Sequence, residues 1–358
     1  MIKAMLHRAI ILLLLSINSI AYFGENLPPV VNHLSNKSDL ISHSNIENVI
    51  GKQTGVKSQG KRGTCTMFTA IGLIESYLIS NGLFPSSLDL SEEWMEYIIM
   101  KDKESEGSST SSNLKEILYS GVVHEITWPY VGQKWLALDD FEISALTCSH
   151  LEKNASLLKK CLLGHRDPTL YDMPVSKLRT LDPEFEVIRD EAFLLRDNYI
   201  KDLYPRKKSY RVKSTSDIRN ILVNNHAVVM GTKLYYGAWN SSKVDTFDIQ
   251  PRDKSSWYSG IVGYPEPGSR DRDISAVNGG GHSILIVGYD DNVIVKTKAL
   301  MTDGTTKEFT YKGVYYFKNS WGVKGFGKKF SLNNRSYPGY GMITQKYAHE
   351  FGTFYSIE

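Results

Sequence analysis

QGKRGTCTMF occupies residues 59–68 and places a glutamine six positions ahead of a cysteine. After the cysteine, apolar side chains recur at helical spacing, which predicts a helix over 66–80 that ends at Asn81-Gly82. Cys65 would then lie at the N-terminus of a helix, where the helix dipole and free N–H groups favour a thiolate. The stretch therefore predicts a cysteine whose thiol has a lowered pKa.

Two later motifs carry the groups that such a thiol needs for acyl transfer. The first is GHS at 281–283, where His282 precedes an apolar run that predicts a buried strand. The second is KNSWG at 318–322, which follows another predicted strand and contains Asn319. An imidazole can form a charged pair with the thiolate, and an amide oxygen can fix the imidazole tautomer.

The three motifs resemble those of the papain-like cysteine peptidases, whose pattern is Q-x5-C at a helix start, a histidine before a buried strand and N-S-W-G after another. The resemblance covers roughly residues 45–130 and 206–345. It implies an α+β, two-lobed fold with a helical left half, an antiparallel and barrel-like β-rich right half, and the active-site cleft between them.

The resemblance also assigns roles to residues of this chain. Cys65 would be the nucleophile, His282 the base and acid, and Asn319 the group that orients the imidazole. The side chain of Gln59 and the backbone N–H of Cys65 would hold the oxyanion. Substrate-binding positions carried over in the same way are Gly107, Ser108 (a glycine in the family) and Trp321, which would cover the His–Asn hydrogen bond.

The function implied is that of a thiol endopeptidase, and other functions stay open. The same site could act as a transpeptidase, ligase or exopeptidase, because the motifs do not specify what resolves the acyl-enzyme. A non-catalytic secreted binding protein of the same fold is the alternative from another class, favoured by Thr66, where the family has tryptophan, and by Ser283. His226, which also precedes an apolar run, is the rival base.

Chain organisation follows from the placement of these motifs. We expect a signal peptide at 1–21, a short N-terminal segment at 22–50 and a helical half at 51–130 that carries the nucleophile. Further helices are predicted over 91–100 and 113–120 in the helical half. The β-rich half at 206–358 would carry the histidine and the asparagine, with strands predicted at 283–289 and 292–299 and a hairpin turn at Asp303-Gly304. Residues 131–205 depart from the family pattern and are interpreted as an insertion, which we hypothesise covers or restricts the cleft.

Cys148 and Cys161 remain once Cys65 is kept as a free thiol. In an exported chain they predict a disulfide. A Cys2His2 metal site with His150 and His165 is the alternative, although its spacing is unlike that of common zinc modules. The family's disulfide from the third residue before the nucleophile is missing, because that residue is Arg62.

Composition and the N-terminus limit partners and location. The 358 residues carry a net charge of only +3, without a basic stripe interleaved with aromatics, which argues against a nucleic-acid partner. No phosphate-binding glycine motif follows a predicted strand, and we expect no cofactor and no metal. A basic start, an apolar core over 9–15 and a small-residue cleavage site predict a secreted or periplasmic protein, or one anchored by an uncleaved signal. Protein or peptide substrates and a proteinaceous inhibitor are the expected partners.

Overall fold

The computed structural model describes residues 41–202 and 206–357. The predicted signal peptide and most of the short N-terminal segment lie outside these residues. The helical half begins with α1 (Ile46–Ile50), α2 (Cys65–Ser80), α3 (Glu92–Met100) and α4 (Thr110–Ser120). The helices predicted over 66–80, 91–100 and 113–120 are thus present, and α4 begins three residues earlier than predicted because Ser109 caps it.

The segment over 131–202 is helical as well. It contains α5 (Glu142–Cys148), α6 (Ala155–Gly164), α7 (Val175–Leu181) and α8 (Pro183–Leu195), with short turns between them and a π-helical turn at Arg196–Ile200. Its buried leucine, isoleucine and phenylalanine side chains join the main hydrophobic core, as Leu163, Phe185 and Ile188 show. A small second core surrounds Cys148 and Cys161, which form the predicted disulfide.

The second half is built on a sheet. Its elements are β1 (Arg211–Val212), α9 (Thr215–Val223), β2 (Val228–Lys233), α10 (Lys243–Thr246), α11 (Lys254–Tyr258), β3 (Ile261–Val262), α12 (Arg270–Asn278), β4 (Gly281–Leu300), β5 (Thr306–Lys318), β6 (Ser331–Leu332), β7 (Arg335–Ser336), β8 (Tyr340–Thr344), α13 (Gln345–Phe351) and β9 (Thr353–Tyr355). Strands β6 and β7 form a separate two-stranded ribbon.

The predicted combination of a helical half and a β-rich half is confirmed, but the main sheet is open and does not form a closed barrel. Within the described residues its order is β1-β9-β2-β4-β5-β8-β3, and the outer strands β1 and β3 do not pair with each other. All pairs are antiparallel except β3 with β8. The two outer strands have only two residues each and cannot close the sheet into a barrel.

The long β4–β5 hairpin accounts for the distance in sequence between His282 and Asn319. Two predicted strands merge into β4, which runs through Gly281–Leu300 with an irregularity in its pairing between Asp290 and Ile294. The predicted turn at Asp303-Gly304 joins β4 to β5, and Gly304 has the positive φ of 83° that the turn needs. Lys318, the last residue of β5, pairs with Leu285 near the start of β4. The hairpin therefore brings Asn319, the next residue, close to His282.

The described part of the N-terminal segment pairs with the middle of strand β4. Ser44 N–H donates to Tyr289 O (3.0 Å), and Asp291 N–H donates to Ser42 O (2.8 Å). Seven to nine strand residues separate these contacts from His282, a distance of about 25 Å at 3.3 Å per residue. Ser42 and Ser44 therefore lie away from His282. In the described part of the chain, we find no helix both long and apolar enough to cross a bilayer.

Substitution of Gly121 can test how tightly the 131–202 segment packs on the helical half. It follows α4 with φ 75°, and a Cβ there would overlap the carbonyl of Ala192 in α8. We expect Gly121→Ala to lower the free energy of unfolding by more than the roughly 1–3 kcal/mol of backbone strain alone. Gly82→Ala is the matched control, since Gly82 has φ 70° with open space around it. Equal losses in urea unfolding would contradict this packing.

Candidate active site

Cys65 is the first residue of α2 and the only cysteine outside the disulfide. Its side chain is 8% exposed, and its thiol lies by the backbone N–H of Ser283, the residue after His282. Burial raises the pKa of the thiol to about 11, although the backbone N–H groups of Ser283 and Thr66 act in the other direction. The position at the helix start is therefore as predicted, but the predicted lowering of the pKa is wrong for the site as it stands, because desolvation outweighs the helix N-terminus.

His282 and Asn319 are brought together by the β4–β5 hairpin. His282 Nε2 lies 2.9 Å from Asn319 Oδ1, and the same oxygen accepts a hydrogen bond from Ser320 N–H (2.9 Å). The backbone donor fixes which end of the amide is the oxygen, so Nε2 of the imidazole must carry the proton. This tautomer leaves Nδ1 of His282 unprotonated and able to accept a proton.

His282 is buried, with 4% of its surface exposed, and burial lowers its pKa to about 4 against the weaker opposing effect of Asn319. Burial thus disfavours each charged form taken singly, the thiolate and the imidazolium alike. Transfer of a proton from Cys65 to His282 would create both charges together, and each would then be the countercharge of the other. The two groups must accordingly be treated as one coupled pair.

Aromatic rings enclose the imidazole. Trp321 stacks on His282 with ring centroids 4.4 Å apart, and Trp257 stacks on Trp321 at 5.7 Å. Trp239 meets His282 edge to face at 5.5 Å. The sequence predicts Trp321 next to the His–Asn pair, whereas Trp239 and Trp257 have no motif around them that could have indicated this position.

The loop before α2 is held by several hydrogen bonds. Gln59 N–H donates to Ser320 O (2.9 Å), and Ser320 Oγ donates to Gln59 Oε1 (2.7 Å). The Nε2 of Gln59 donates to the carbonyl of Arg62 (2.7 Å), which leaves its second N–H for another acceptor. Tyr130 OH adds a hydrogen bond to Gln59 O (3.1 Å). The amide that would hold an oxyanion is thus oriented from both ends.

Gly107 and Ser108 lie beside the first turn of α2. Ser108 Oγ is 2.8 Å from Thr66 Oγ1, and Lys103 donates to the carbonyl of Gly107. Thr66, which departs from the family pattern, therefore contacts the loop that the resemblance assigns to substrate binding. Whether this loop binds substrate stays a prediction.

Helix α2 and strand β4 join the two halves at the site. Thr69 Oγ1 lies 2.8 Å from Ser283 Oγ, and both residues are buried. One turn later, the backbone of Gly72 approaches the side chain of Leu285 so closely that a Cβ on the glycine would lie 3.4 Å from it. These contacts fix the start of the helix against the start of the strand, and so Cys65 against His282.

A buried charged cluster that the motifs did not indicate lies behind Asn319. Lys57 forms ion pairs with Glu75 (3.1 Å) and Glu92 (3.0 Å), and Lys318 Nζ donates to Thr54 Oγ1 (3.0 Å). Burial raises the pKa of Glu92 to about 8 and lowers that of Lys318. Asn319 borders a cavity of about 20 Å³ among these side chains, which is large enough for one water molecule.

His226 does not belong to this group of residues. Thr232 pairs with His282 across β2 and β4, and His226 precedes Thr232 by six residues, toward the other end of β2. That separation is about 20 Å along the strand. The rival base is therefore placed away from Cys65.

The Cys2His2 metal alternative is wrong, because both thiols are consumed by the Cys148–Cys161 disulfide. Within the described residues, the ligand atoms of Glu93, Glu96 and His165 do lie within 4.8 Å of one another. The guanidinium of Arg62, however, forms an ion pair with Glu96 and lies 2.9 Å from Nε2 of His165. A cation already occupies the centre of this cluster, so we assign no metal to it.

The shifted pKa of His282 predicts how stability depends on pH. A pKa lowered from 6.5 to about 4 contributes stability above pH 6.5 that is lost as the pH falls through 4. We expect His282→Gln to reduce this acid loss by up to about 3 kcal/mol. Urea unfolding of both proteins between pH 7 and 4 measures it. Parallel curves would show that His282 is not desolvated in solution.

One curated protein shares part of its sequence with this chain. No family model matches the chain. It is 40% identical over 85 residues to the viral cathepsin of Spodoptera litura multicapsid nucleopolyhedrovirus, a match that spans 23% of this chain and 24% of the viral protein.

Two of the solved structures to which the chain is similar are cysteine proteases. Xylellain from Xylella fastidiosa has 16% identity and a TM-score of 0.47, with 85% of this chain and 83% of xylellain covered. The bromelain protease of Ananas comosus, in complex with the inhibitor E64, has 14% identity and a TM-score of 0.43, with 89% and 100% covered. The chain is similar to papain-like cysteine peptidases, as its three motifs predict.

Proposed function

We propose that the chain is a thiol endopeptidase that hydrolyses peptide bonds through an acyl-enzyme on Cys65. The observation that carries the proposal is the His282–Asn319 hydrogen bond, which fixes an imidazole with a free Nδ1. The residue after this histidine contacts the thiol at the start of α2. A nucleophile, a base and a group that orients the base are the parts such a reaction needs.

The first half of the reaction forms the acyl-enzyme. Cys65 gives its proton to Nδ1 of His282, and its sulfur attacks the peptide carbonyl. The resulting oxyanion accepts hydrogen bonds from Nε2 of Gln59 and from the N–H of Cys65. The C–N bond then breaks, and His282 returns the proton to the leaving amine.

The second half regenerates the thiol. His282 takes a proton from water, and the hydroxide attacks the thioester carbonyl. The C–S bond breaks as the carboxylic acid forms, and the thiolate regains its proton from His282; the acid then releases its own proton to solvent. Asn319 keeps the imidazole in the same tautomer throughout because its oxygen is held by Ser320 N–H.

A bound peptide could stabilise the charged form of the catalytic pair in this buried site. Burial opposes the thiolate of Cys65 and the imidazolium of His282 when each charge is taken singly. An extended peptide between the two halves would add its own dipoles and hydrogen bonds around the developing charges. We therefore infer that the charged pair forms mainly with peptide bound, in an exported protein that acts on protein or peptide substrates.

The decisive experiment compares the wild-type chain with Cys65→Ala on a mixed peptide library under reducing conditions. We expect internal cleavage by the wild-type chain and none by the variant, with products identified by mass spectrometry. Spliced products would favour a transpeptidase, and losses confined to peptide ends would favour an exopeptidase. Absence of any product, with a Cys65 that iodoacetamide does not modify, would favour the non-catalytic alternative.

Gln59 gives a second prediction. Gln59→Ala removes one oxyanion donor, and we expect kcat to fall by roughly 10²–10³ with a small change in KM. Lys61→Ala is the matched control, because Lys61 lies exposed in the same loop. Steady-state kinetics on one cleaved peptide measures both, and equal activities of the two variants would remove Gln59 from the mechanism.

A further inference from the structure

Arg62 stands three residues before Cys65, and its side chain is fully buried. A buried guanidinium carries five N–H donors that all need acceptors. On the side of the helical half, Nε donates to Glu106 Oε1 (2.7 Å), and NH2 forms an ion pair with Glu96. Both acidic residues belong to the part of the chain that carries the nucleophile.

The remaining acceptors of Arg62 come from the 131–202 segment. NH1 donates to the carbonyl of Gln133 (2.8 Å) and lies 2.9 Å from Nε2 of His165, while NH2 donates to the carbonyl of Leu163 (2.9 Å). Leu163 belongs to α6, the helix that also carries Cys161 of the disulfide. One side chain therefore connects the nucleophile loop to the segment that the sequence interprets as an insertion.

The backbone of Arg62 completes the connection to the site. Its carbonyl accepts the hydrogen bond from Nε2 of Gln59 at 2.7 Å. The direction of the second N–H of that amide, the one available to an oxyanion, thus depends on where the Arg62 carbonyl lies. The side chain restrains this position through acceptors on both sides, and the Arg62 N–H restrains it further by donating to Gln59 O (3.2 Å).

We propose that Arg62 is a positioning residue for the oxyanion site, and that His165 makes this function dependent on pH. The proposal rests on the proposed function, since it assumes that Gln59 stabilises an oxyanion. Arg62 does not touch the reacting atoms. It acts through the loop carbonyl that orients the Gln59 amide, and the 131–202 segment thereby becomes part of the catalytic architecture.

The hydrogen bonds of His165 supply the pH dependence. Nδ1 lies 2.5 Å from Glu93 Oε1, a carboxylate that can only accept, so Nδ1 carries the proton. Nε2 must then accept from Arg62, which it can do only while the imidazole is neutral. Protonation would turn a donor and a positive charge toward the guanidinium. We expect acid to weaken the contact and release the loop.

Several charged groups surround the imidazole of His165. Its imidazole contacts Glu93 and Arg62, lies close to Glu96, and stacks on Trp135 with centroids 4.1 Å apart. Lys134 forms an ion pair with Glu106, which in turn binds Arg62. The imidazole thus lies between carboxylates and a guanidinium, and replacement of His165 tests the proposal directly.

The first experiment separates positioning from general loss of structure. Arg62→Lys keeps the charge but loses the fork of donors, and we expect kcat to fall by roughly 10²-fold with KM little changed. The rate of Cys65 alkylation by iodoacetamide should stay the same, because alkylation forms no oxyanion. Arg189→Lys is the matched control, since Arg189 is also buried and donates to backbone carbonyls, among them Met173 O (2.7 Å).

A double-mutant cycle identifies the path of the effect. If Arg62 acts through Gln59, the variant that combines Arg62→Lys with Gln59→Ala should be no slower than Gln59→Ala alone. Independent, multiplying losses would overturn the proposal. So would alkylation that slows in step with hydrolysis, because that result indicates a disturbed thiol or fold and not a displaced donor.

The second experiment uses His165→Gln. A glutamine can donate to Glu93 and accept from Arg62 but does not titrate in this range, so it mimics neutral histidine. We expect kcat at pH 7 within about twofold of the wild-type value, and a smaller loss of kcat at acid pH. An unchanged acid limb of the pH profile would overturn the role of His165.

Failure of the proposed function is distinguishable from failure of this inference. If no peptide is cleaved, binding of a peptide aldehyde can be followed by protection of Cys65 against iodoacetamide. The thiol adduct of an aldehyde contains the same oxyanion. Weaker protection in both Arg62→Lys and Gln59→Ala would support the positioning role without turnover. Equal protection in all variants, or none in the wild-type chain, would overturn it.

Discussion

Contact between the start of α2 and the start of β4 is the constraint on which the other features of the site depend. The nucleophile is in one half of the chain and the base in the other, more than two hundred residues later. Thr69 and Ser283 join the two halves through a buried hydroxyl pair, and Gly72 lets the helix approach Leu285. Because protein interiors are close-packed, a shift of this interface would move the thiol relative to the imidazole.

Desolvation dominates the electrostatics around this interface. It raises the pKa of the acidic groups Cys65 and Glu92. It lowers the pKa of the basic groups His282 and Lys318. Single charges are therefore disfavoured throughout, whereas opposite charges that form together are compensated. This is the environment in which a proton transfer between thiol and imidazole can depend on what else enters the cleft.

The 131–202 segment is integrated into the helical half. Its apolar residues complete the main core, and its carbonyls accept hydrogen bonds from Arg62. In the papain-like pattern a disulfide starts at the position of Arg62, whereas here a guanidinium links the same loop to α6, and the disulfide lies inside the segment at Cys148–Cys161. The link at this position is therefore noncovalent, with His165 beside the guanidinium.

The sequence by itself determined the helix at Cys65, the strand after His282, the turn at Asp303-Gly304 and the pairing of Cys148 with Cys161. Each of these follows from short-range periodicity, turn chemistry or cysteine arithmetic. Only the tertiary structure decided that the sheet stays open, that Trp239 meets the imidazole while Trp257 stacks on Trp321, and that Arg62 is buried between two parts of the chain. It also decided the sign of the pKa shift of Cys65, because a helix N-terminus is visible in sequence, whereas burial depends on which distant residues close around the thiol.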